Sequence, residues 1–452
     1  MRRLLLPIIL LSVFFPAAAE EPPENFARSF LDRTLRIDYY HTGDRETDII
    51  TLDRLYREGI WAGPVQGLVE DFNNGQYYAR VFDFESGEEL FSKGFNSYFY
   101  EYRTTNPAIN GVKQVYHETL RIPFPRHKIR LVLESRDRKL NLVPVWTLEI
   151  DPDKDYFDSA PAAGTVHITN LLRGGHPHNQ VDLVLLAEGY RPEDSRKLER
   201  DFSRARDVLF SHEPYRSQKK HFNLYGVFPH SRDSGCDEPR KNVYRATAVE
   251  TSFNALNLPR YLLVENNRRL QNVLSRVPCD AVMIMVNHDR YGGGGIYNQY
   301  CVFTADSKAA GYLMLHEFGH SFAGLGDEYY SSQVSYNDFV PPGVEPVEPN
   351  VTALLSPEKI KWKDLISPGT PIPTPWDKEI FDKLSGREKA AHLQKKMFQG
   401  VIGAFEGAMY ASEGMYRPAI DCIMFSRNTL DYCPVCRSAV ERMIRHYTGN
   451  PE

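Results

Sequence analysis

The order of apolar and polar residues divides the chain into two parts with different periodicity. In residues 20–151, short runs alternate apolar and polar side chains, as in Tyr77–Phe84, Tyr116–Ile122 and Ile129–Leu133. This period of two is typical of strands that bury one face. Turn sequences such as Asn73-Asn74-Gly75 separate the runs. The pattern predicts an antiparallel β-sandwich for residues 20–151.

The second part alternates the patterns of strands and helices. An apolar run, Val181–Ala187, precedes an amphipathic segment, Pro192–Phe210, which precedes another apolar run, Phe222–Phe228. A second helical pattern at Pro259–Val277 leads into Ala281–Val286, an apolar run typical of a central strand that is covered on both faces. Alternation of this kind predicts an α/β domain.

A change of composition marks the boundary between the two parts. Residues 152–166 lose the periodicity and collect proline, aspartate, alanine and glycine, which favours a linker. The predicted organisation is therefore an amino-terminal domain of residues 20–151, a linker of residues 152–166 and an α/β domain of residues 167–452.

The first nineteen residues have the pattern of a cleaved secretory signal peptide. Arg2 and Arg3 precede an apolar run, and three alanines precede Glu20. The run is too short to span a bilayer, and no later segment has the pattern of a transmembrane helix. We therefore predict an exported protein without membrane insertion after cleavage, and leave open whether it is periplasmic or extracellular.

Charge argues against a nucleic-acid partner. The full chain has a formal net charge of -5, and removal of Arg2 and Arg3 with the signal peptide makes it -7. Charges of both signs are spread along the sequence, without the basic clustering that nucleic-acid binding requires. The chain is long enough for two or three domains, and its apolar content of 42% is ordinary for a globular protein, so a sizeable core is possible.

The strongest chemical signal is a His-Glu-x-x-His sequence. On a helix, His316 and His320 are one turn apart and project from the same face, so both imidazoles can reach one metal ion. Glu317 would lie beside that ion, where its carboxylate can take a proton from water. This pattern predicts a zinc peptidase site.

The residues after this helix offer a third metal ligand. Gly324 can end the helix in a left-handed turn, and Asp327 follows three residues later. Glu328 is an equally hard oxygen donor, and Glu406 is a more distant competitor. The spacing after the glycine favours Asp327, with Glu328 as the rival.

Three of the six cysteines are close together near the end of the chain, at Cys422, Cys433 and Cys436. Export makes disulfides the favoured interpretation. A second zinc site would need a fourth ligand from elsewhere. A redox pair would normally lie in a thioredoxin-like βαβ context, which is not indicated here.

The helix, the glycine turn and the third ligand resemble the metzincin pattern, with the glycine and the ligand each one residue later and aspartate in place of histidine. The combination resembles the IgA-peptidase family of bacterial zinc metallopeptidases. The resemblance covers most of residues 170–448 and extends to four further segments: Glu406-Gly407-Ala408, Tyr416-Arg417-Pro418, Cys422-Ile423-Met424 and Cys433-Pro434-Val435-Cys436.

This resemblance implies a zincin-like, metzincin-like catalytic domain that follows a β-rich accessory domain. It implies that His316, His320 and Asp327 hold one zinc ion, that Glu317 is the general base and that Met424 forms a hydrophobic floor. The predicted function is a secreted zinc metalloendopeptidase that hydrolyses protein or peptide substrates through a zinc-bound water. The alternatives are a zinc amidase that acts on cell-wall peptides and a non-catalytic surface-binding protein on a peptidase scaffold.

Two further hypotheses concern the substrate. In metzincins the strand before the metal-binding helix lies at the sheet edge, so the segment Gly295–Phe303 is predicted to pair with an extended peptide through its backbone. Tyr329 or Tyr330 could donate a hydrogen bond to the oxyanion, or could simply pack.

Overall fold

The structure is a computed structural model that describes residues 22–159, 164–330, 341, 343–395, 397 and 399–449. The predicted signal peptide, residues 1–19, lies outside these ranges, as do residues 160–163 of the predicted linker. Among the described residues, no helix is both long enough and apolar enough to cross a bilayer.

The amino-terminal part is built from eight strands and three short helices within the described residues. The strands are β1 Phe30–Gly43, β2 Asp48–Arg57, β3 Tyr77–Asp83, β4 Glu89–Phe95, β5 Gln114–Pro125, β6 Ile129–Arg136, β7 Leu142–Ile150 and β8 Asp158–Ser159. The helices are α1 Glu24–Ser29, α2 Tyr98–Arg103 and α3 Asn106–Ile109.

These strands form two four-stranded sheets, with the orders β5-β1-β2-β8 and β4-β3-β6-β7. Alternate side chains of both sheets, such as Ile37 in β1 and Leu131 in β6, are fully buried in one shared core. Neighbouring strands are antiparallel except β2 and β8, which are parallel. Since β8 lies within the predicted linker, part of that segment belongs to the amino-terminal sheet.

The carboxy-terminal part contains ten strands and six α-helices within the described residues. The strands are β9 Val166–Leu172, β10 Val181–Glu188, β11 Phe222–Pro229, β12 Thr251–Phe253, β13 Leu262–Val264, β14 Ala281–Val286, β15 Gly293–Ile296, β16 Tyr300–Thr304, β17 Phe405–Ala408 and β18 Ala411–Arg417. The helices are α4 Ser195–Leu209, α5 Asn267–Leu274, α6 Ala310–Ala323, α7 Lys378–Lys383, α8 Gly386–Leu393 and α9 Pro434–Thr448.

A six-stranded sheet of order β15-β16-β14-β10-β11-β9 organises this part. Its four inner strands run parallel, and the two edge strands, β9 and β15, are antiparallel to their neighbours. Leu183 and Leu185 of β10 face a core that includes α6, whereas Val184 and Leu186 face a second core that includes α5. The continuous apolar runs in the sequence therefore reflect strands covered on both faces.

The predicted helix at Pro259–Val277 is wrong in its first half. Leu262–Val264 forms β13, which pairs with β12, and the helix α5 covers only Asn267–Leu274. Asn266 caps this helix because its side chain accepts a hydrogen bond from the backbone N–H of Arg269. The apolar residues before Asn266 therefore pack as a strand. So short an apolar run is compatible both with the period of a helix and with that of a strand.

The predicted strand at Gly295–Phe303 is a hairpin of β15 and β16, so only Gly293–Ile296 lies at the sheet edge. Asn298 lies in the turn with a φ of 56°, a left-handed conformation that asparagine tolerates. Its side-chain amide donates to Gly94 O at 2.6 Å, and Asn96 N donates to Tyr297 O at 3.0 Å. The turn therefore packs against the amino-terminal part instead of extending the edge.

Candidate metal centre

The helix α6 ends with the left-handed turn that the sequence predicts. Gly324 has a φ of 62°, and its N–H donates to His320 O at 3.0 Å. The next residue, Leu325, donates its N–H to Gly319 O at 3.2 Å, so the chain reverses against the last turn of the helix. This reversal brings Asp327 back to the helix face that carries the two histidines.

Three potential ligand atoms converge at this point. His316 Nε2 and His320 Nε2 each lie 3.2 Å from Asp327 Oδ1, and the two nitrogens are 3.2 Å apart. Ligands at the usual zinc distances in a tetrahedral arrangement are about 3.3 to 3.5 Å from one another. The triangle therefore has the size required to hold one ion.

The Nδ1 atoms of the two histidines make hydrogen bonds that determine which ring nitrogen keeps its lone pair for a metal. His316 Nδ1 contacts Ile423 O at 3.0 Å, and His320 Nδ1 contacts Leu325 O at 2.6 Å. A carbonyl oxygen only accepts, so both Nδ1 atoms carry the proton in the neutral rings. Two Nε2 lone pairs and a carboxylate oxygen then face one another, an arrangement that a cation stabilises. The donor set fits zinc.

The charges in this group depend strongly on one another. Although burial opposes ionisation, attraction to His320 and contacts from both imidazoles hold the pKa of Asp327 well below its usual range. Burial also disfavours a charged His320, but the nearby Asp327 carboxylate raises the pKa of His320 to about 9. Protons therefore compete with a metal cation for the same nitrogen, and metal affinity increases with pH.

Glu317 lines the cleft together with the two histidines and is half-buried. One of its carboxylate oxygens is within 4.8 Å of a ring nitrogen of both His316 and His320. Burial is the largest cause that raises the pKa of Glu317, and attraction to the two histidines opposes it. A carboxylate of raised pKa close to a metal position is a stronger base than an exposed one.

The structure separates the three acidic candidates for the third ligand. Asp327 contacts both histidines, as given above. Glu328 points away from them, with Oε1 at 3.1 Å from Cys436 Sγ. Glu406 lies in β17, where its Oε1 accepts hydrogen bonds from Gly414 N at 3.1 Å and from the Tyr416 hydroxyl at 3.4 Å.

Two family models match the chain. Residues 169–391 and 383–444 match the model described as IgA Peptidase M64, and residues 25–147 match the model described as Peptidase M64 N-terminus. The chain belongs to the IgA peptidase M64 family. The protein is therefore a metallopeptidase with an amino-terminal accessory domain, as the sequence resemblance predicts. A comparison with curated proteins found no match.

Met424 of this peptidase lies beneath the metal-binding helix and is fully buried. A β-carbon placed on Gly319 would lie 3.0 Å from the Met424 sulfur, so the helix needs glycine at this contact. Met424 O accepts a hydrogen bond from Glu328 N at 2.9 Å. Together with Ile423 O, which contacts His316, this loop supports the metal centre from below.

Sequence reasoning missed two tyrosines whose hydroxyls contact the candidate ligands. The hydroxyl of Tyr410 donates to Asp327 Oδ2, and the hydroxyl of Tyr312 lies 3.3 Å from His316 Nδ1. Tyr410 is 83 residues from Asp327 in the chain, and the sequence contains 26 tyrosines. Without the fold, nothing in the sequence distinguishes these two from the others.

The two tyrosines singled out from the sequence differ in position. Tyr329 lies close to the centre: its ring is stacked with His316 at 6.3 Å between centroids, and it lines the cleft. The hydroxyl of Tyr330 instead donates to Asp382 Oδ1 at 2.5 Å.

A cleft of about 840 Å³ opens above the metal centre. Its walls come from both parts of the chain, since Gly75, Asn96, Tyr100 and Glu101 of the accessory domain line it together with residues of the catalytic part. This volume is in the range of ordinary ligand clefts. The accessory domain is therefore positioned to contact a substrate.

The cysteine prediction requires correction. All six cysteines are free thiols in this structure, although export favoured disulfides. Cys422 Sγ and Cys436 Sγ lie 3.8 Å apart, whereas a disulfide bond is about 2.05 Å long.

Proposed function

We propose that this peptidase is a zinc-dependent metalloendopeptidase in which His316, His320 and Asp327 hold the zinc ion. The observation that carries this proposal is the triangle of 3.2 Å distances between the two Nε2 atoms and Asp327 Oδ1. Zinc bound by these residues would supply a Lewis acid and a means to ionise water near neutral pH.

Glu317 is the general base in this proposal. Its carboxylate removes a proton from the attacking water and delivers that proton to the leaving amine. The raised pKa of Glu317, which is caused mainly by burial, suits both steps because the group accepts a proton readily and is not a metal ligand. Tyr410 and the carbonyls of Ile423 and Leu325 position the ligands through hydrogen bonds.

The edge strand β15 supplies the surface that aligns a peptide substrate. It lies against α6, and Gly293 and Gly295 line the cleft. An extended peptide that adds to this edge would bring its scissile bond over the metal centre. The predicted role is thus assigned to Gly293–Ile296 and not to the longer segment predicted from the sequence.

Backbone methylation of a substrate tests this alignment without changing the fold of the enzyme. A series of peptides, each methylated at one amide nitrogen, removes one hydrogen-bond donor at a time. We expect KM to increase for methylation at every second residue of the peptide. In an antiparallel pair, only alternate residues form backbone hydrogen bonds with a given neighbouring strand. Equal KM values along the whole series would contradict strand addition.

We further propose that the protein is exported and that residues 1–19 are its signal peptide. The support is the basic start, the apolar run and the small residues before Glu20. Mass spectrometry of the protein recovered from its producing cells should find a mature chain that begins at residue 20. An intact amino terminus in all cell fractions would contradict export.

A peptide-library digest tests the function itself. We expect new amino termini within protein-derived peptides when the purified enzyme is supplied with zinc, loss of cleavage after a chelator removes the metal, and recovery when zinc is restored. A parallel digest of cell-wall muropeptides separates this function from that of a zinc amidase. Cleavage of muropeptides alone, or cleavage of neither substrate by zinc-loaded enzyme, would overturn the proposal.

A further inference from the structure

Three cysteines and one glutamate meet in a buried cluster that does not line the cleft. Cys422, Cys433, Cys436 and Glu328 are all buried, and one potential ligand atom from each lies within 4.8 Å of the other three. We propose that these residues hold a second, structural zinc ion. The proposal is independent of the catalytic function assigned above, because it uses none of the same ligands.

The distances in this cluster suit a tetrahedral metal site better than a disulfide. Zinc–sulfur bonds of about 2.3 Å place two thiolates about 3.8 Å apart, and Cys422 Sγ lies 3.8 Å from Cys436 Sγ. Glu328 Oε1 is 3.1 Å from Cys436 Sγ, somewhat closer than the roughly 3.5 Å expected for oxygen and sulfur on one zinc ion. A small outward movement of the carboxylate would accommodate the ion.

Glu328 is a buried carboxylate with one oxygen that lacks a hydrogen-bond donor within the described part of the chain. Glu328 is fully buried, and its Oε1 accepts a hydrogen bond from Asn350 Nδ2 at 3.0 Å. Among the described residues, no donor reaches its Oε2. A buried carboxylate that is not fully hydrogen-bonded is costly, and a cation bound by Glu328 would offset its negative charge.

One backbone hydrogen bond in the cluster favours a thiolate. Cys433 N donates a hydrogen bond to Cys422 Sγ at 3.2 Å, which stabilises negative charge on that sulfur. Three thiolates and a carboxylate sum to -4, and a divalent cation leaves -2. The fully buried Arg417 adds one positive charge and is attracted to Glu328. The remaining charge is small enough for a buried site.

The chemistry of the ligands selects the class of metal. Three soft sulfur donors favour zinc over magnesium or calcium, which prefer oxygen ligands. A closed set of four protein ligands, without an open position for water, is typical of a structural site and not of a catalytic one. On binding, each thiol releases its proton to solvent, so the ion is held by thiolates.

A metal in this cluster would stabilise the catalytic centre from behind. Cys422 begins the loop whose Ile423 O contacts His316 and whose Met424 O accepts a hydrogen bond from Glu328 N. Glu328 itself follows Asp327 directly in the chain. The structural ion would therefore fix the positions of one histidine and of the aspartate that hold the catalytic ion.

Elemental analysis of the full-length mature protein tests this proposal. We expect two zinc ions per chain in the parent, one in H320A, one or fewer in C436S, and two in the control C301S, which changes a buried cysteine outside the cluster. Cobalt exchanged into H320A should show the thiolate-to-metal charge-transfer band that C436S lacks. Absence of this charge-transfer band from cobalt-loaded H320A would overturn the proposal, whether or not the catalytic site binds a metal.

A second measurement uses the unmodified protein, in case C436S does not fold. Titration of the native enzyme with an organomercurial, which displaces zinc from thiolates, should release one zinc per chain in step with modification of three cysteines. Mass spectrometry of the denatured, unreduced chain should find all six cysteines reduced. Modification of those three cysteines without release of zinc, or a mass lower by the two hydrogens of a disulfide, would overturn the proposal.

Discussion

At the scale of single residues, two adjacent carboxylates lie in different environments. Asp327 Oδ1 is 3.2 Å from the Nε2 atoms of both His316 and His320, whereas Glu328 Oε1 is 3.1 Å from Cys436 Sγ. Neighbouring side chains in an extended segment point to opposite sides. The spacing after Gly324 therefore gives only a weak preference for Asp327 over Glu328. The reversal of the chain against α6 places Asp327, and not Glu328, beside the two histidines.

The first prediction at this scale concerns Glu317. The substitution E317Q removes the base but not a metal ligand, so we expect turnover to fall by at least about 100-fold while the zinc content is unchanged. Peptide hydrolysis and elemental analysis on the same preparation measure both quantities. The control E406Q changes a carboxylate that does not line the cleft, and this variant should retain activity. Turnover in E317Q equal to that of the parent would contradict the mechanism.

The second prediction concerns Tyr410, which donates a hydrogen bond to Asp327 Oδ2. The substitution Y410F removes this bond and leaves one carboxylate oxygen less constrained. We expect zinc affinity to fall by about 10- to 100-fold, as for other residues that orient a metal ligand. Competition with a chelator of known affinity measures the change. Y416F, which removes a hydroxyl bonded to Glu406, is the control, and an equal loss in both variants would contradict the assignment.

At the scale of elements, the glycines before the metal-binding helix have a packing role. A β-carbon on Gly295 would lie 2.5 Å from Glu317 O and 3.0 Å from His320 Cβ, and one on Gly293 would lie 3.0 Å from Glu317 Oε1. The edge strand β15 can therefore lie close to α6 only if these positions have no side chain. Gly293 and Gly295 share one face of the strand because side chains alternate along it.

The third prediction tests this contact between β15 and α6. The substitution G295A should reduce the free energy of unfolding by about 1 to 3 kcal/mol, because an added methyl group overpacks a tight contact, and should also lower activity through displacement of His320. Urea denaturation measures the stability. The matched control is G59A, where a β-carbon meets nothing within 4 Å; equal stability of the two variants would contradict the argument.

The sequence predicts some elements well and others poorly, for physical reasons. Central strands such as β10 and β14 are predicted correctly because a short continuous apolar run in an α/β domain is typical of a strand covered on both faces. The residues around Leu262–Val264 were assigned to a helix because so short an apolar run fits both periods. The hairpin at Asn298 was missed because one left-handed residue within an apolar run is a weak signal, and its partner, Gly94, is distant in the chain.

The candidate site is also only partly predictable from the sequence. The histidine pair, Glu317 and the left-handed Gly324 follow from local helix geometry, so the sequence was sufficient to predict their arrangement. Tyr410 and the cluster of Glu328 with three cysteines depend on contacts between segments about 80 to 110 residues apart. Such contacts are set by tertiary packing, which a single sequence does not reveal.

At the scale of the whole molecule, the accessory domain forms part of the wall of the cleft above the candidate metal centre. It lines the cleft with Tyr100 and Glu101, and it holds the β15–β16 hairpin through Asn96 and Gly94. Its core is nevertheless separate from the two cores of the catalytic part. The two parts therefore bury separate main cores and line one cleft together.

The fourth prediction concerns the pH dependence of the accessory domain. His41 is buried between Glu118 and Asp48, at 2.8 Å and 2.5 Å from their carboxylate oxygens. Burial opposes its protonation, but the Glu118 carboxylate and hydrogen bonds to both acids raise the pKa of His41 from 6.5 to about 9. A raised histidine pKa stabilises the fold fully below pH 6.5, and this contribution is lost as pH rises through about 9.

We therefore expect the unfolding free energy of the accessory domain to decrease by up to about 3 kcal/mol between pH 6.5 and pH 9. Chemical denaturation at a series of pH values, followed by tryptophan fluorescence, measures this change. H41Q should be less stable at pH 6.5 and should lack the decrease over this interval. A parent protein whose stability is constant across the interval would contradict the assignment of a charged His41.

Anomalous diffraction from crystals of the zinc-loaded protein, recorded on either side of the zinc absorption edge, would locate the ion directly. We expect a zinc peak bonded to His316 Nε2, His320 Nε2 and Asp327 Oδ1 at about 2.0 to 2.2 Å, with Glu317 beside it and not bound. A zinc-saturated crystal with no peak between these three atoms, or with Glu328 in place of Asp327, would contradict this expectation.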